Sequence, residues 1–228
     1  MIQACAARST TVTRHQTQPA YRRVRRHPER ASYCVEDAYS ILDEALVAHV
    51  SFTMDARPFI VPMGFARDGN RLLLHGARGS RICRQLAKGI PATVAVTLLD
   101  GLVLARSTFH HSMNYRSVVV FGQCEPITDI EDKDKGLELL VEHIVPGRSQ
   151  DARRPTRQEL EATGLLAMPI EDFSIKRRSG PPVDDPADLD FPCWAGVLPT
   201  HLALGQPQPD SNGPPPPECP DYVERYRR

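Results

Sequence analysis

The first residues that could carry chemistry lie in the segment Leu72–Arg81 (LLLHGARGSR). An apolar run passes through a glycine-bearing loop into a predicted helix. The free N–H groups at such a helix start, a serine hydroxyl and arginine side chains can all bind a phosphate. The same pattern also fits a plain strand–turn–helix connection whose arginines face water. Ser80 and Arg81 are therefore candidate phosphate ligands.

A second polar cluster opens the segment Ser107–Gly122 (STFHHSMNYRSVVVFG), which ends in an apolar, strand-like run. Polar side chains at the mouth of a barrel strand are typical of a ligand rim. His110 and His111 are adjacent, and adjacent residues of a strand point to opposite faces. They would be poor joint ligands of one metal ion, and the sequence predicts no metal site.

A third cluster, Ser174–Asp185 (SIKRRSGPPVDD), alternates basic and apolar residues before a proline turn, and Trp194 follows it. The basic residues form either a solvated edge or part of a binding site. Trp194, the single tryptophan, either packs in the core or covers a planar ligand. Six cysteines are scattered without a CxxC motif, which argues against zinc. Cys83 and Cys124 lie among apolar neighbours and are predicted to be core residues.

The elements that must position these residues are mostly short strands. Turn signals at residues 55–58, 68–70 and 100–101 separate them. Helices are predicted over 35–46, 81–88, 128–145 and from 156, the last two opened by capping boxes at Thr128–Glu131 and Thr156–Glu159. The predicted strands are 47–53, 58–63, 71–76, 92–99, 102–106, 115–127 and 165–169. This pattern indicates a mainly β (α+β) fold, an antiparallel barrel with peripheral helices.

Charge and hydropathy exclude two classes of partner. The chain has 228 residues, zero formal net charge and no apolar run that could span a bilayer, so neither nucleic acid nor a membrane is an expected partner. We expect a basic disordered tail over residues 1–26, a domain over 27–203 and a proline-rich disordered tail over 204–228. The protein is expected in the cytoplasm. The acid-free, arginine-rich N-terminus leaves a mitochondrial location as the alternative.

Several blocks together resemble the flavin-nucleotide-binding branch of the pyridoxamine 5′-phosphate oxidase-like family, which includes the Nim-like nitroimidazole-resistance reductases. The blocks are HGARGSR, HHSMNYRSVVVFG, SIKRRSGPPVDD and WAGVLP, with RPFIVPM upstream. The resemblance spans residues 27–199. It implies a split β-barrel homodimer with FMN bound in each of two clefts at the subunit interface.

The resemblance also implies roles for individual residues. Ser80 and Arg81 match the positions that hold the FMN phosphate, and Arg116 is an additional anion contact. His75 matches a histidine near the flavin and is the catalytic candidate. The strand beside the isoalloxazine ring corresponds to Ile60, Val61, Pro62 and Met63. A C-terminal segment that reaches the cleft corresponds to Lys176, Arg178 and Trp194.

The functional hypothesis is an FMN-dependent oxidoreductase that serves a small-molecule electron donor and acceptor. The arginine-rich substrate segment of the vitamin B6 oxidases is not found, so oxidation of pyridoxine phosphate is not expected. One alternative is a haem-handling protein with His75, His110 or His111 as axial ligand. The other is a flavin carrier or sensor without turnover.

Overall fold

The computed structural model describes residues 19–212 and 217–227. Ten strands and six α-helices are found there, together with three short 3₁₀ turns. In chain order they are β1 (Ala31–Ser32), α1 (Val35–Glu44), β2 (Val47–Met54), β3 (Arg57–Asp68), β4 (Arg71–Ala77), α2 (Arg81–Leu86), β5 (Pro91–Leu104), β6 (Ser112–Gln123), β7 (Glu125–Ile127), α3 (Ile130–Ile144), α4 (Arg148–Asp151), α5 (Arg157–Ala162), β8 (Thr163–Pro169), β9 (Asp172–Arg178), β10 (Gly196–Pro199) and α6 (Asp221–Glu224).

The strands form an antiparallel sheet in the order β1-β9-β6-β5-β2-β3-β4-β8-β7, and β10 pairs with β5. The predicted mainly β split barrel with peripheral helices is confirmed. Two of the predicted turns are hairpins: Asp55 and Ala56, both at positive φ, join β2 to β3, and Gly69 helps to join β3 to β4. The third was wrong, because β5 runs on through residues 100–101 with a bulge.

Two hydrophobic clusters stabilise the sheet. The larger lies between α1, α2 and the inner faces of the long strands, with Val50, Leu74, Val94 and Val120 completely buried. The smaller lies under α3 and includes Leu73, Leu140 and Leu165. Cys83 and Cys124 are buried in the larger cluster, as predicted, and burial raises the pKa of the Cys124 thiol to about 12.

Side-chain caps set the helix starts. Thr156 and Glu159 form the predicted capping box at α5. At α3 the cap is Asp129 rather than Thr128, because the Asp129 carboxylate accepts from two backbone N–H groups, each at 3.0 Å. In the part of the chain that the structure describes, no helix is both long and apolar enough to cross a membrane.

Parts of both predicted tails pack on the domain. Tyr21 bonds the Asp172 carboxylate of β9 and its ring meets Phe121. At the other end, the Tyr222 hydroxyl donates to Asp151 at 2.7 Å and Tyr226 donates to a backbone carbonyl of α3. Residues 19–26 and 217–227 therefore include side chains that pack on the domain. Residues 1–18, 213–216 and 228 lie outside the described part, and the disordered tails stay a prediction.

Candidate functional site

The site is created by a gap in the sheet. Residues 57–64 of β3 pair with β2, and only residues 65–68 pair with β4. The end of β4, residues 75–77, pairs with β8 alone. Within the described residues, one edge of β3 over 57–64 therefore has no strand partner. This open edge is the split of the barrel, and its unpaired backbone groups are available to a ligand.

Prolines determine which backbone groups face the gap. Pro58 and Pro62 lie four residues apart in β3 and have no N–H to donate. Proline is tolerated in a strand where its nitrogen faces away from the neighbouring strand. Since alternate residues of a strand direct their backbone groups to the same side, Ile60 presents its N–H and C=O to the gap. Its side chain is 65% exposed.

The loop before α2 brings Ser80 and Arg81 to this edge. The Ser80 N–H donates to Ala77 at 2.9 Å, and the Ser80 hydroxyl accepts from the Cys83 N–H at 3.3 Å. The Arg81 guanidinium lies 5.1 Å from the centre of the Phe59 ring of β3. It makes no ion pair with any described residue, so this arginine is available to an anion.

Gly76 allows the helix to approach the strand so closely. A Cβ at this position would lie 3.1 Å from the Cys83 sulfur. A Cβ at Gly79 would meet nothing within 4 Å, so the outer side of the loop is open. The loop is therefore packed tightly on the side of the core and unobstructed on the side of the solvent.

His75 lies at the far end of the gap. Its neighbour Leu74 pairs with Phe65, which places His75 level with Gly64, where β3 leaves β4. The imidazole is half-buried, and its Nδ1 is buried with no hydrogen-bond partner among the described residues. Burial lowers the pKa of His75, so the ring is neutral at pH 7.

Arg116 does not fit its predicted role as an anion contact. Its guanidinium donates to both carboxylate oxygens of Glu44 and to those of Asp100. Two carboxylates already neutralise this arginine and would repel a phosphate. Arg116 instead ties the end of α1 to the β5–β6 pair.

The predicted C-terminal residues are not brought to the gap of their own chain. Arg178 is buried and holds the following turn by hydrogen bonds to Asn114 and to the carbonyl oxygens of Gly180 and Pro181. Lys176 pairs with Ser117 on the sheet, half-buried. Trp194 is 68% exposed, and its ring lies against Gly196.

The two adjacent histidines have different surroundings. His110 Nε2 lies 3.2 Å from Asp185, and its ligand atoms fall within 4.8 Å of those of Asp185 and Asp188. This cluster was not predicted, and a hydrogen bond between His110 and the exposed Asp185 holds it together. His111 donates from Nδ1 to the Ser107 carbonyl at 3.0 Å, which leaves the Nε2 lone pair facing outward.

A cavity of about 700 Å³ opens at the far end of β5 and β6. Tyr21 and Phe121 line it together with the acidic residues Glu125, Glu171 and Asp172. None of the predicted cofactor-binding residues lies in it.

Comparisons with known proteins agree with this architecture. A family model described as pyridoxamine 5′-phosphate oxidase matches residues 35–177. The chain is 35% identical to the flavocytochrome Anf3 from Azotobacter vinelandii, with a TM-score of 0.86 over 92% of this chain and 97% of that one. It is 38% identical to an FAD and haem binding protein from Mycobacterium smegmatis, with a TM-score of 0.81 over 85% and 95%.

A third structure shares the fold alone. It is a putative 5-nitroimidazole antibiotic resistance protein from Bacteroides thetaiotaomicron, 21% identical, with a TM-score of 0.55 over 64% of this chain and 85% of that one. No curated protein sequence matches the chain.

Proposed function

Because the chain belongs to the pyridoxamine 5′-phosphate oxidase family, we propose that it is a flavin-dependent oxidoreductase whose flavin lies in the gap beside β3. The observation that carries the proposal is the open edge of residues 57–64, with Arg81 at one end and His75 at the other. Two relatives above 30% identity are named a flavocytochrome and an FAD and haem binding protein, which supports a flavin here.

Each part of the gap has a distinct task in this proposal. Arg81 and Ser80 bind the phosphate, because the guanidinium is unpaired and the hydroxyl proton has no acceptor among the described residues. Ile60 bonds the ring edge through its backbone. Val61 and Met63 pack on the core and keep water from one side of the ring. The bound flavin supplies the electron and hydride transfer.

His75 is the residue proposed to move a proton. It lies at the end of the gap opposite Arg81, where the ring of a flavin with its phosphate at Arg81 would lie. A neutral imidazole carries one N–H and one lone pair, so it can donate a proton to a small-molecule acceptor and take one back.

FMN is the flavin that the mononucleotide site accommodates in this proposal. FAD contains the same mononucleotide, and the gap itself does not distinguish between the two. The electron donor and acceptor are proposed to be small molecules that reach the ring from the open side of the gap. A protein that binds flavin but reduces no acceptor would instead be a carrier or sensor.

The test is a titration of FMN into flavin-free protein. Arg81→Ala should weaken binding about ten- to hundredfold, since a charge-assisted hydrogen bond to phosphate contributes roughly 1.5–3 kcal/mol. Arg157→Ala, on the exposed surface of α5, is the control and should leave the affinity for FMN unchanged. An equal affinity of Arg81→Ala and wild type would remove Arg81 from the site, and a wild type that binds no flavin would refute the proposal.

A homodimer is proposed because the segments around β10 expose large apolar side chains on one protomer. Met113 and Leu198 both pair with Leu102 of β5, so their exposed side chains are neighbours, and a contiguous apolar patch marks an interface. The exposed residues are Phe109, Met113, Val183, Leu189, Phe191, Trp194 and Leu198. Light scattering should report a dimer at micromolar concentration. Phe191→Asp should shift it toward monomer, and Leu139→Asp on α3 should not.

Haem binding is the second candidate, favoured by the orientation of His111. A ligating histidine usually donates its other N–H to a carbonyl or carboxylate, and His111 does so to Ser107. His110 meets the same criterion through Asp185, but its side chain is only 22% exposed and packs against the Phe109 ring, whereas His111 is exposed. A haem-loaded protein should show an intense Soret band that His111→Ala removes and His110→Ala retains. A wild type without this band after incubation with hemin would exclude the candidate.

A further inference from the structure

A second cavity, here called the basic cavity, lies on the side of α2 that faces away from β3. Its volume is about 490 Å³, and it is bounded by α2, β7, β8 and the start of α3. The charged side chains that line it are all cationic: Arg78, Arg84, Lys88 and Lys133. Two threonines, Thr128 and Thr163, add hydroxyl groups to the wall.

Lys133 is the strongest indication of an anionic ligand. Its side chain belongs to a residue only 6% exposed, and Nζ donates to the Leu160 carbonyl at 3.0 Å. No carboxylate of a described residue lies within ion-pair distance of it. A buried ammonium without a counter-charge is costly, and it has three donors of which one is used here. An oxyanion in the cavity would provide both the charge and an acceptor.

The cations at the rim of the cavity also lack carboxylate partners. Among the described residues, neither Arg78 nor Arg84 has an ion-pair partner, and Lys88 reaches only the Gln85 amide at 3.4 Å. On the nearby surface, by contrast, Arg153 and Arg157 are each bonded to a glutamate. Four cations without an ion-pair partner among the described residues therefore line this one cavity.

We propose that the basic cavity binds a phosphate-bearing ligand. Four cations without a carboxylate favour a multiply charged anion over a single carboxylate group. The volume exceeds what one inorganic phosphate fills, so the ligand carries a further group. This group lies against the apolar wall formed by Leu165, Leu166, Ile127 and Pro126.

The phosphate can come from two sources. It is either the adenosine monophosphate part of FAD, whose other phosphate is the one placed at Arg81, or a separate phosphorylated compound. The first source rests on the proposed flavin site: Arg81 faces β3, Arg78 lines the basic cavity, and the open side of Gly79 lies between them. The second source needs no flavin at all.

The experiment is calorimetric titration of ADP, and separately of inorganic phosphate, into flavin-free and FMN-loaded protein. ADP should bind the wild type, and Lys133→Met should weaken it about ten- to hundredfold by loss of a charge-assisted bond. Lys135→Met is the matched control, because Lys135 lies two residues away on α3 with its side chain exposed. It should leave the affinity for ADP unchanged.

A second variant covers the case in which Lys133→Met fails to fold. The double variant Arg84→Gln, Lys88→Gln changes only exposed rim residues and should weaken ADP binding by at least tenfold. If FAD is the source, the wild type should bind FAD more tightly than FMN, Lys133→Met should remove this preference, and FAD-loaded protein should not bind ADP. If a separate compound is the source, ADP should bind whichever flavin is present.

The proposal is overturned if neither flavin-free nor FMN-loaded wild type binds either probe at millimolar concentration and FAD binds no tighter than FMN. Equal ADP affinity of the wild type and both variants would also overturn it. The proposed flavin site fails separately: a wild type that binds ADP but neither flavin refutes that site and leaves the basic cavity intact.

Discussion

The two halves of β3, here called the closed half (residues 65–68) and the open half (residues 57–64), differ in strand pairing and in burial. Residues 65–68 pair with β4, and Phe65 and Ala66 are fully buried in the two hydrophobic clusters. Residues 57–64 pair with β2 alone and alternate between half-buried and exposed side chains. The first half resembles the interior of a sheet, and the second half resembles an edge strand that the fold leaves beside a helix.

This difference shows how a split barrel leaves backbone groups unpaired along part of one strand. Backbone N–H and C=O groups require partners, and in the closed half neighbouring strands provide them. In the open half the groups on one side of the strand remain for a ligand. The position of the open edge is therefore set by where β4 stops pairing with β3.

The largest expected effect on stability comes from a substitution in the closed half of β3. Phe65→Ala removes a ring with no exposed surface and should destabilise the protein by about 3–5 kcal/mol, because a large cavity remains in a packed core. Urea denaturation followed by circular dichroism measures it. Ile60→Ala in the open half is the control and should change stability by less than about 0.5 kcal/mol. Similar losses in both variants would contradict the division of β3.

Arg116 connects α1 to the β5–β6 pair and does not line the open half of β3. Its replacement should therefore lower stability without changing the affinity for FMN. Arg116→Met leaves Glu44 and Asp100 without their shared cation and should lower the free energy of unfolding by about 1–2 kcal/mol, allowing for partial exposure. Affinity for FMN should not change. Arg157→Met breaks only an exposed pair with Glu161 and is the control. A weaker affinity for FMN in Arg116→Met would restore the sequence-based assignment.

Arg81 and Arg116 also show what the sequence could and could not predict. Strand periods, hairpin glycines and the Thr156 cap are local signals, and most elements were predicted from them. The charge state around an arginine depends on residues far apart in sequence: Glu44 lies 72 positions from Arg116. Similarly, the docking of Tyr21 on Asp172 spans 151 positions, and no local pattern revealed it.

The open edge also has a local signal in the sequence. Two prolines at four-residue spacing inside a strand indicate an edge whose N–H side faces no neighbour. Pro58 and Pro62 have this spacing, and both lie within the predicted strand 58–63. The extent of the gap could not be derived in this way, because it depends on where β4 turns to pair only with β8.

Ile60→Pro tests the backbone of the open half. The chain already accepts proline two residues to either side, so the pairing with β2 should survive. Loss of the Ile60 N–H should weaken FMN binding about three- to tenfold, the value of one neutral hydrogen bond. Ile60→Val keeps the N–H and serves as control. An unchanged affinity in Ile60→Pro, with the fold intact by circular dichroism, would exclude this N–H as a ligand of the flavin.

The smallest expected effect on stability concerns His75, at the boundary between the two halves of β3. Burial lowers the pKa of His75 in the folded protein, so near pH 6 the unfolded chain binds a proton that the folded protein does not. The stability of the wild type should therefore fall as the pH drops below about 6.5, with one histidine contributing less than about 1.4 kcal/mol per pH unit. His75→Gln should show a shallower fall between pH 7.5 and 5.5 in urea denaturation.

The same variant tests the proposed proton transfer. His75→Gln should still bind FMN, because Arg81 and Ser80 are unchanged. Its reduced flavin should be reoxidised more slowly than that of the wild type. Transfer of electrons from reduced bound flavin to a nitroaromatic should slow about 100-fold, within the range of general acid catalysis. His111→Gln, whose ring is anchored outside the gap, is the control and should keep the wild-type rate. If His75→Gln leaves the rate per bound flavin unchanged but alters the pH dependence of stability as predicted, His75 contributes to stability and not to proton transfer. The open half of β3 would then bind flavin without a contribution from His75.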